Sequence, residues 1–132
     1  MTVIGLSAVK PLRRPCFWLR LWWLAIAVVI VVSLVPPPPL PGSPPGSDKV
    51  AHFLAYFALA ASAVQLFSTR ATLLRAGVGL VLLGIALEGA QYLLTSSRMM
   101  DPADALANTL GVLAGMAVAR TPLRDLLLRF DQ

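Results

Sequence analysis

Apolar and polar positions divide this chain into four apolar runs joined by short polar connectors. Residues 17–35 are apolar except for Arg20 and Ser33. Residues 48–67 open on a polar turn and become apolar from Phe53. Residues 74–94 are interrupted late by Glu88 and Gln91, and residues 102–119 complete the series. At about 1.5 Å of rise per residue, runs of about twenty residues match a hydrocarbon layer about 30 Å thick. The pattern predicts an all-α fold, an integral membrane bundle of four transmembrane helices over residues 17–119. Residues 1–16 form a basic N-terminus, and residues 120–132 an amphipathic tail with Arg124 and Arg129 among leucines, suited to an anionic inner leaflet.

The connectors carry their own signals. Residues 36–47 read PPPPLPGSPPGS. Consecutive prolines enforce polyproline II and exclude helix, so this is a stiff loop between the first two spans. Ser47 is the expected N-cap of the second helix, with Asp48 favoured at its positive end. Residues 68–75, STRATLLR, read as a polar connector, and Pro102 suits a first helical turn. Ala107, Gly111 and Gly115 are four apart and make a close-packing seam on the fourth helix, facing a neighbour within the chain. Three tryptophans, Trp18, Trp22 and Trp23, suit a membrane interface. A signal peptide shares the basic start and apolar run of the first span. The length of that run and the prolines after it favour a retained helix.

Composition agrees with the pattern. Of 132 residues 58% are hydrophobic and only 13% charged, against about a quarter charged in soluble domains. The net charge of +5 raises nucleic acid as a partner. Its cations are scattered singly in connectors with no aromatic-interleaved stripe, so no nucleic-acid binding is expected. Those cations instead set topology. Of the eleven Lys and Arg, only Lys49 and Arg98 fall on the side of the proline loop, so the positive-inside rule puts both termini in the cytoplasm. Cys16, the single cysteine, allows no internal disulfide and reads as a small apolar residue.

The same topology gathers the polar residues within the spans. Asp48, Lys49, His52 and Tyr56 lie in the outer half of the second helix, where Asp48, His52 and Tyr56 share one face. Glu88 and Gln91, followed by Tyr92, sit near the outer end of the third. Asp101, Asp104 and Asn108 line one face of the fourth, with Arg98 in the loop before it. A charge at mid-helix costs about 3 kcal/mol or more in a bilayer, so three segments delivering such groups to one leaflet imply a shared polar pocket. Lys49 and Arg98 are expected to balance its acids.

The order Asp48-Lys49-x-x-His52-Phe53-x-x-Tyr56, then Glu88-x-x-Gln91, then Arg98-x-x-Asp101-x-x-Asp104-x-x-x-Asn108 with Gly111 beyond, resembles the VanZ-like family. The resemblance runs from about Asp48 to Gly115, roughly half the chain. It implies a small multi-pass protein of the bacterial inner membrane, in a family whose name-giving member is associated with reduced susceptibility to the glycopeptide teicoplanin.

Four chemical readings of the pocket remain, beside proton-coupled transport, for which four short helices form a narrow pore at best and the inner half offers no charges to complete a pathway. A recognition site for a cell-envelope lipid or precursor headgroup is the leading one, with Lys49 and Arg98 meeting its anionic part and Tyr56 and Tyr92 lining it. An enzyme acting on such a headgroup needs a nucleophile, and Thr95, Ser96 and Ser97 stand in no recognisable elbow. A hydrogen-bonded network that only fixes helix packing is the third. The fourth is a metal held by His52, Glu88 and Asp104. It lacks a second histidine or an HExxH pair, and Lys49 and Arg98 compete with it, so no metal and no cofactor are expected. The bilayer is the certain partner, and oligomerisation is compatible with four short helices.

Overall fold

The computed structural model describes residues 7–35, 41–94 and 101–132. Among these residues the chain is all-α. Four long helices follow in order, α1 (Pro15–Leu34), α2 (Ser47–Leu66), α3 (Arg70–Leu94) and α4 (Pro102–Ala117). Two 3-10 turns, Val118–Arg120 and Pro122–Asp125, lead into a short α5 (Leu126–Phe130). The helix over Pro15–Leu34, those of α2 and α3, and the stretch Pro102–Arg120 are each long and apolar enough to cross a membrane.

The helix ends follow from local chemistry. Pro15 and Pro102 both occupy the first turn of their helices, where a missing N–H leaves nothing unsatisfied. Asp101 caps α4, its Oδ1 accepting the Ala103 N–H at 2.9 Å. The expected cap of α2 is displaced by one residue. Gly46, at φ 83°, is the N-cap and Ser47 already lies inside the helix. The left-handed turn out of the proline loop needs a residue without Cβ, and Gly46 supplies it. α3 starts at Arg70, earlier than the apolar run suggests. Thr69 accepts the Thr72 N–H on its hydroxyl at 3.1 Å and the Leu73 N–H on its carbonyl at 3.0 Å, so the cap recruits half of the polar connector into the helix.

α2 is the central element, packed against α1, α3, α4 and the C-terminal turns. Its closest neighbour is α4. A Cβ on Gly115 would stand 2.6 Å from the Phe57 carbonyl oxygen and 2.8 Å from the Ala61 nitrogen, and one on Gly111 would collide with the Phe53 carbonyl. The small-residue seam therefore lies directly on the α2 backbone. α1 is held by Trp22, buried in the core, whose Nε1 donates to the Leu59 carbonyl at 3.0 Å. Trp22 thus works as a helix-packing anchor, while Trp23 faces outward. Outward-facing positions along the spans are mostly apolar, among them Leu24, Val28 and Val32 of α1, Val78 and Leu82 of α3, and Leu106 and Leu113 of α4. So large an apolar exterior is the surface of a bundle made for lipid.

Candidate functional site

Three polar residues are buried among the described residues, Glu88, Gln91 and Asn108. All three lie at the end of the bundle where α2 and α4 begin and α3 finishes. Glu88 is 2% exposed. It is reached from the surface through a graded series of side chains. Asp48 is exposed, Lys49 and Asp101 are partly open, and His52 and Asp104 are 20% and 15% exposed.

Lys49 organises the outer layer. Its Nζ lies 3.4 Å from Asp48 Oδ2, 3.1 Å from Asp101 Oδ2 and 3.3 Å from Asp104 Oδ1. The Ala103 N–H and this ammonium together hold the Asp101 carboxyl below its ordinary range. One ammonium thus meets three carboxylates and offers no uncommitted charge to an incoming anion. The inner layer is different. His52 Nδ1 donates to Asn108 Oδ1 at 3.0 Å. An amide oxygen only accepts, so Nδ1 is the donor, and in the neutral ring Nε2 is the nitrogen that carries the lone pair. Nε2 lies 3.9 Å from Asp104 Oδ2, beyond hydrogen-bond range. Ligand atoms of His52, Glu88 and Asp104 all fall within 4.8 Å of one another. Among the described residues, Glu88 Oε2 is buried without a hydrogen-bond partner.

Packing explains how the layers meet. His52 and Tyr56 project from α2, and the Gly111–Gly115 seam brings α4, with Asp104 and Asn108, against that helix. A Cβ on Gly84 would stand 3.2 Å from Asn108 Nδ2 and 3.4 Å from Tyr56 Cε1, so the bare backbone of α3 makes room for both. Tyr56 is 2% exposed, and its hydroxyl also has no hydrogen-bond partner among the described residues.

The other expected members divide. Gln91 donates to the Ser33 carbonyl at 2.7 Å and ties α3 to α1, a tethering role beside the cluster. Tyr92 is 57% exposed and faces away from the bundle interior, so it lines no pocket. The helical repeat carries it past the buried face on which Glu88 and Gln91 lie. Arg98 and the hydroxyls of Thr95, Ser96 and Ser97 fall outside the described residues. Gly84 was not singled out in the sequence. Its signal there is only its place among the four glycines of α3, and its role appears once Asn108 is seen against it.

A second polar region lies at the opposite end. A concavity of about 640 Å³ is lined there by Lys10, Arg70, Arg120 and Arg124 together with Leu73 and Met116. Its cations sit at the edge of lipid-facing helices, where basic side chains meet anionic headgroups. The candidate site is placed at the acidic cluster because buried polar groups gather there.

Comparison with family models, with curated proteins and with solved structures finds no match to this chain.

Proposed function

We propose that this is a VanZ-like protein of the bacterial inner membrane, with both termini cytoplasmic. Its outward-facing acidic cluster binds the headgroup of a cell-envelope lipid or lipid-linked precursor, and through it modulates envelope properties such as glycopeptide susceptibility. The family reading rests on the residues from Asp48 to Gly115, and the orientation on the charge asymmetry of the connectors.

The observation that carries the binding reading is the buried Glu88 Oε2, which has no partner among the described residues. A network that served packing alone would satisfy its carboxylates, since an unpaired buried polar group costs about 1–3 kcal/mol and more when charged. An orphaned oxygen at the foot of a graded polar path is what a site keeps for an occupant. Charge sharpens the ligand. Lys49 is engaged by three acids, and four carboxylates stand against one ammonium among the described residues. The pocket therefore favours the cationic and hydroxyl-bearing parts of a headgroup over its bare phosphate.

Native mass spectrometry of the full-length protein released from its own membrane tests this. Wild type should retain a lipid adduct that Glu88→Gln and Asp104→Asn lose while remaining monodisperse. The same adducts on all three proteins would contradict the reading. Alkaline phosphatase fused after Gln132 should be inactive; activity there would reverse the orientation.

A further inference from the structure

We propose that His52, Glu88 and Asp104 form a binding site for one divalent transition ion, Zn²⁺ or Mn²⁺. This goes beyond headgroup recognition and stands whatever else the cluster binds. The sequence argued against a metal because a second histidine is lacking and because Lys49 and Arg98 compete. Arg98 lies outside the described residues, and the geometry answers the competition from Lys49. Lys49 takes Asp104 through Oδ1 at 3.3 Å, which leaves Oδ2 turned toward His52 Nε2 at 3.9 Å. That spacing is too long for a hydrogen bond. With metal–ligand distances of about 2.0–2.2 Å, two ligands of one ion stand about 3–3.5 Å apart. The trio, all within 4.8 Å, needs inward side-chain movements of only about 1 Å to reach that spacing. Repulsion between the Glu88 and Asp104 carboxylates opposes that closure until a cation neutralises it.

Three further features belong to a built site. His52 is oriented by Asn108, which accepts from Nδ1 at 3.0 Å and so presents Nε2 as a lone pair, as partners of metal-ligating histidines do. Glu88 is 2% exposed and its Oε2 has no other partner among the described residues. Gly84 leaves the room that Asn108 needs to stand behind the imidazole. One imidazole with two carboxylates suits Zn²⁺ or Mn²⁺ better than the all-oxygen ions Mg²⁺ and Ca²⁺. Three protein ligands also leave coordination positions open toward the solvent-facing acids. A water or a headgroup oxygen can bind there.

The test uses the full-length chain, prepared without a polyhistidine tag, in phosphatidylcholine nanodiscs. Equilibrium dialysis against Zn²⁺ and against Mn²⁺ should give one ion per chain. Glu88→Gln and Asp104→Asn should weaken binding more than tenfold. Asn108→Ala should weaken it about 10–100-fold, the usual effect of losing an outer-shell partner. Asp131→Asn, at the opposite end, should bind as wild type does. A second measurement needs no substitution. His52 is the only histidine, so its acylation by diethyl pyrocarbonate should be slowed by Zn²⁺. Wild type that binds no stoichiometric ion, undiminished affinity in a monodisperse Glu88→Gln, or unprotected His52 would each overturn the proposal.

Discussion

Two lysines at opposite ends of this bundle each reach three partners, and the partners differ in kind. Lys10 donates to the Val64 carbonyl at 2.8 Å and the Arg124 carbonyl at 2.5 Å, and pairs with Asp125 at 2.9 Å. Two of those acceptors are backbone oxygens, one of them in the last turn of α2, where helices leave carbonyls unsatisfied. Around Lys10 the ends of the chain close on the bundle. Lys10 N–H donates to Leu66 O, Ser68 N–H to Ala8 O, and Arg13 N–H to Asp131 O. Gln65 holds the C-terminal turns through Leu123 O and Leu127 N–H. Val9 and Leu12 are buried beside them. Lys49 instead faces three carboxylates, and beneath it lie the unpaired Glu88 oxygen and the free face of His52. The same cation closes a structure at one end and leaves a negative site unfilled at the other.

The contrast can be broken most forcefully at the seam both ends share. Gly115→Ala drives a methyl into the Phe57 and Ala61 backbone, which cannot yield as a side-chain tip does. It should cost about 3 kcal/mol in thermal unfolding of the detergent-solubilised protein, and it should abolish ion binding as α4 moves off α2. Gly89→Ala meets nothing within 4 Å and should leave both unchanged.

Exchanging each lysine for methionine separates the ends. Lys10→Met strands two backbone carbonyls and Asp125, and should cost about 2 kcal/mol. Lys49→Met removes partly exposed pairs whose contribution is about 0–1 kcal/mol, so stability should hardly change. Divalent-ion affinity should rise several-fold, because Asp104 loses a competitor. Equal destabilisation by the two would erase the distinction.

Acid provides a gentler probe. Lys10, with Arg124, holds the Asp125 carboxyl below its ordinary value, as the Ala103 N–H and Lys49 do for Asp101. A lowered carboxyl contributes stability that is complete above about pH 4 and fades as pH falls through the depressed value. Amide protection factors in the C-terminal turns, relative to the intrinsic rate at each pH, should therefore be unchanged from neutral pH down to about pH 5. They should fall below the ordinary carboxylate range. Asp125→Asn should show low protection at every pH.

Much of the acidic end was legible in the sequence because helical periodicity alone puts Asp48, His52 and Tyr56 on one face and Asp101, Asp104 and Asn108 on another. The four runs and the Ala107–Gly115 seam were legible for the same reason. The basic end was not. Its order comes from an extended N-terminal segment bridging Val9 to Phe67 and from backbone acceptors, neither of which leaves a periodic trace. Trp22, read as an interface residue, and Tyr92, read as lining the pocket, stand elsewhere for a related reason: the face of the helix puts Trp22 in the core and Tyr92 outside it. The engagement of Lys49 by three acids, which removes it as an anion receptor, depends on tertiary distances that spacing does not encode.

The most direct test of whether the acidic end is built for an occupant is the melting temperature of Glu88→Gln against wild type, both full length and in chelator. If Glu88 waits for a partner, removing its buried charge relieves an unsatisfied group, and the variant should melt at the same temperature or higher. It should then lose the rise that Zn²⁺ or Mn²⁺ gives wild type. A melting temperature several degrees lower in chelator would show that Glu88 holds the helices together, and would contradict the account.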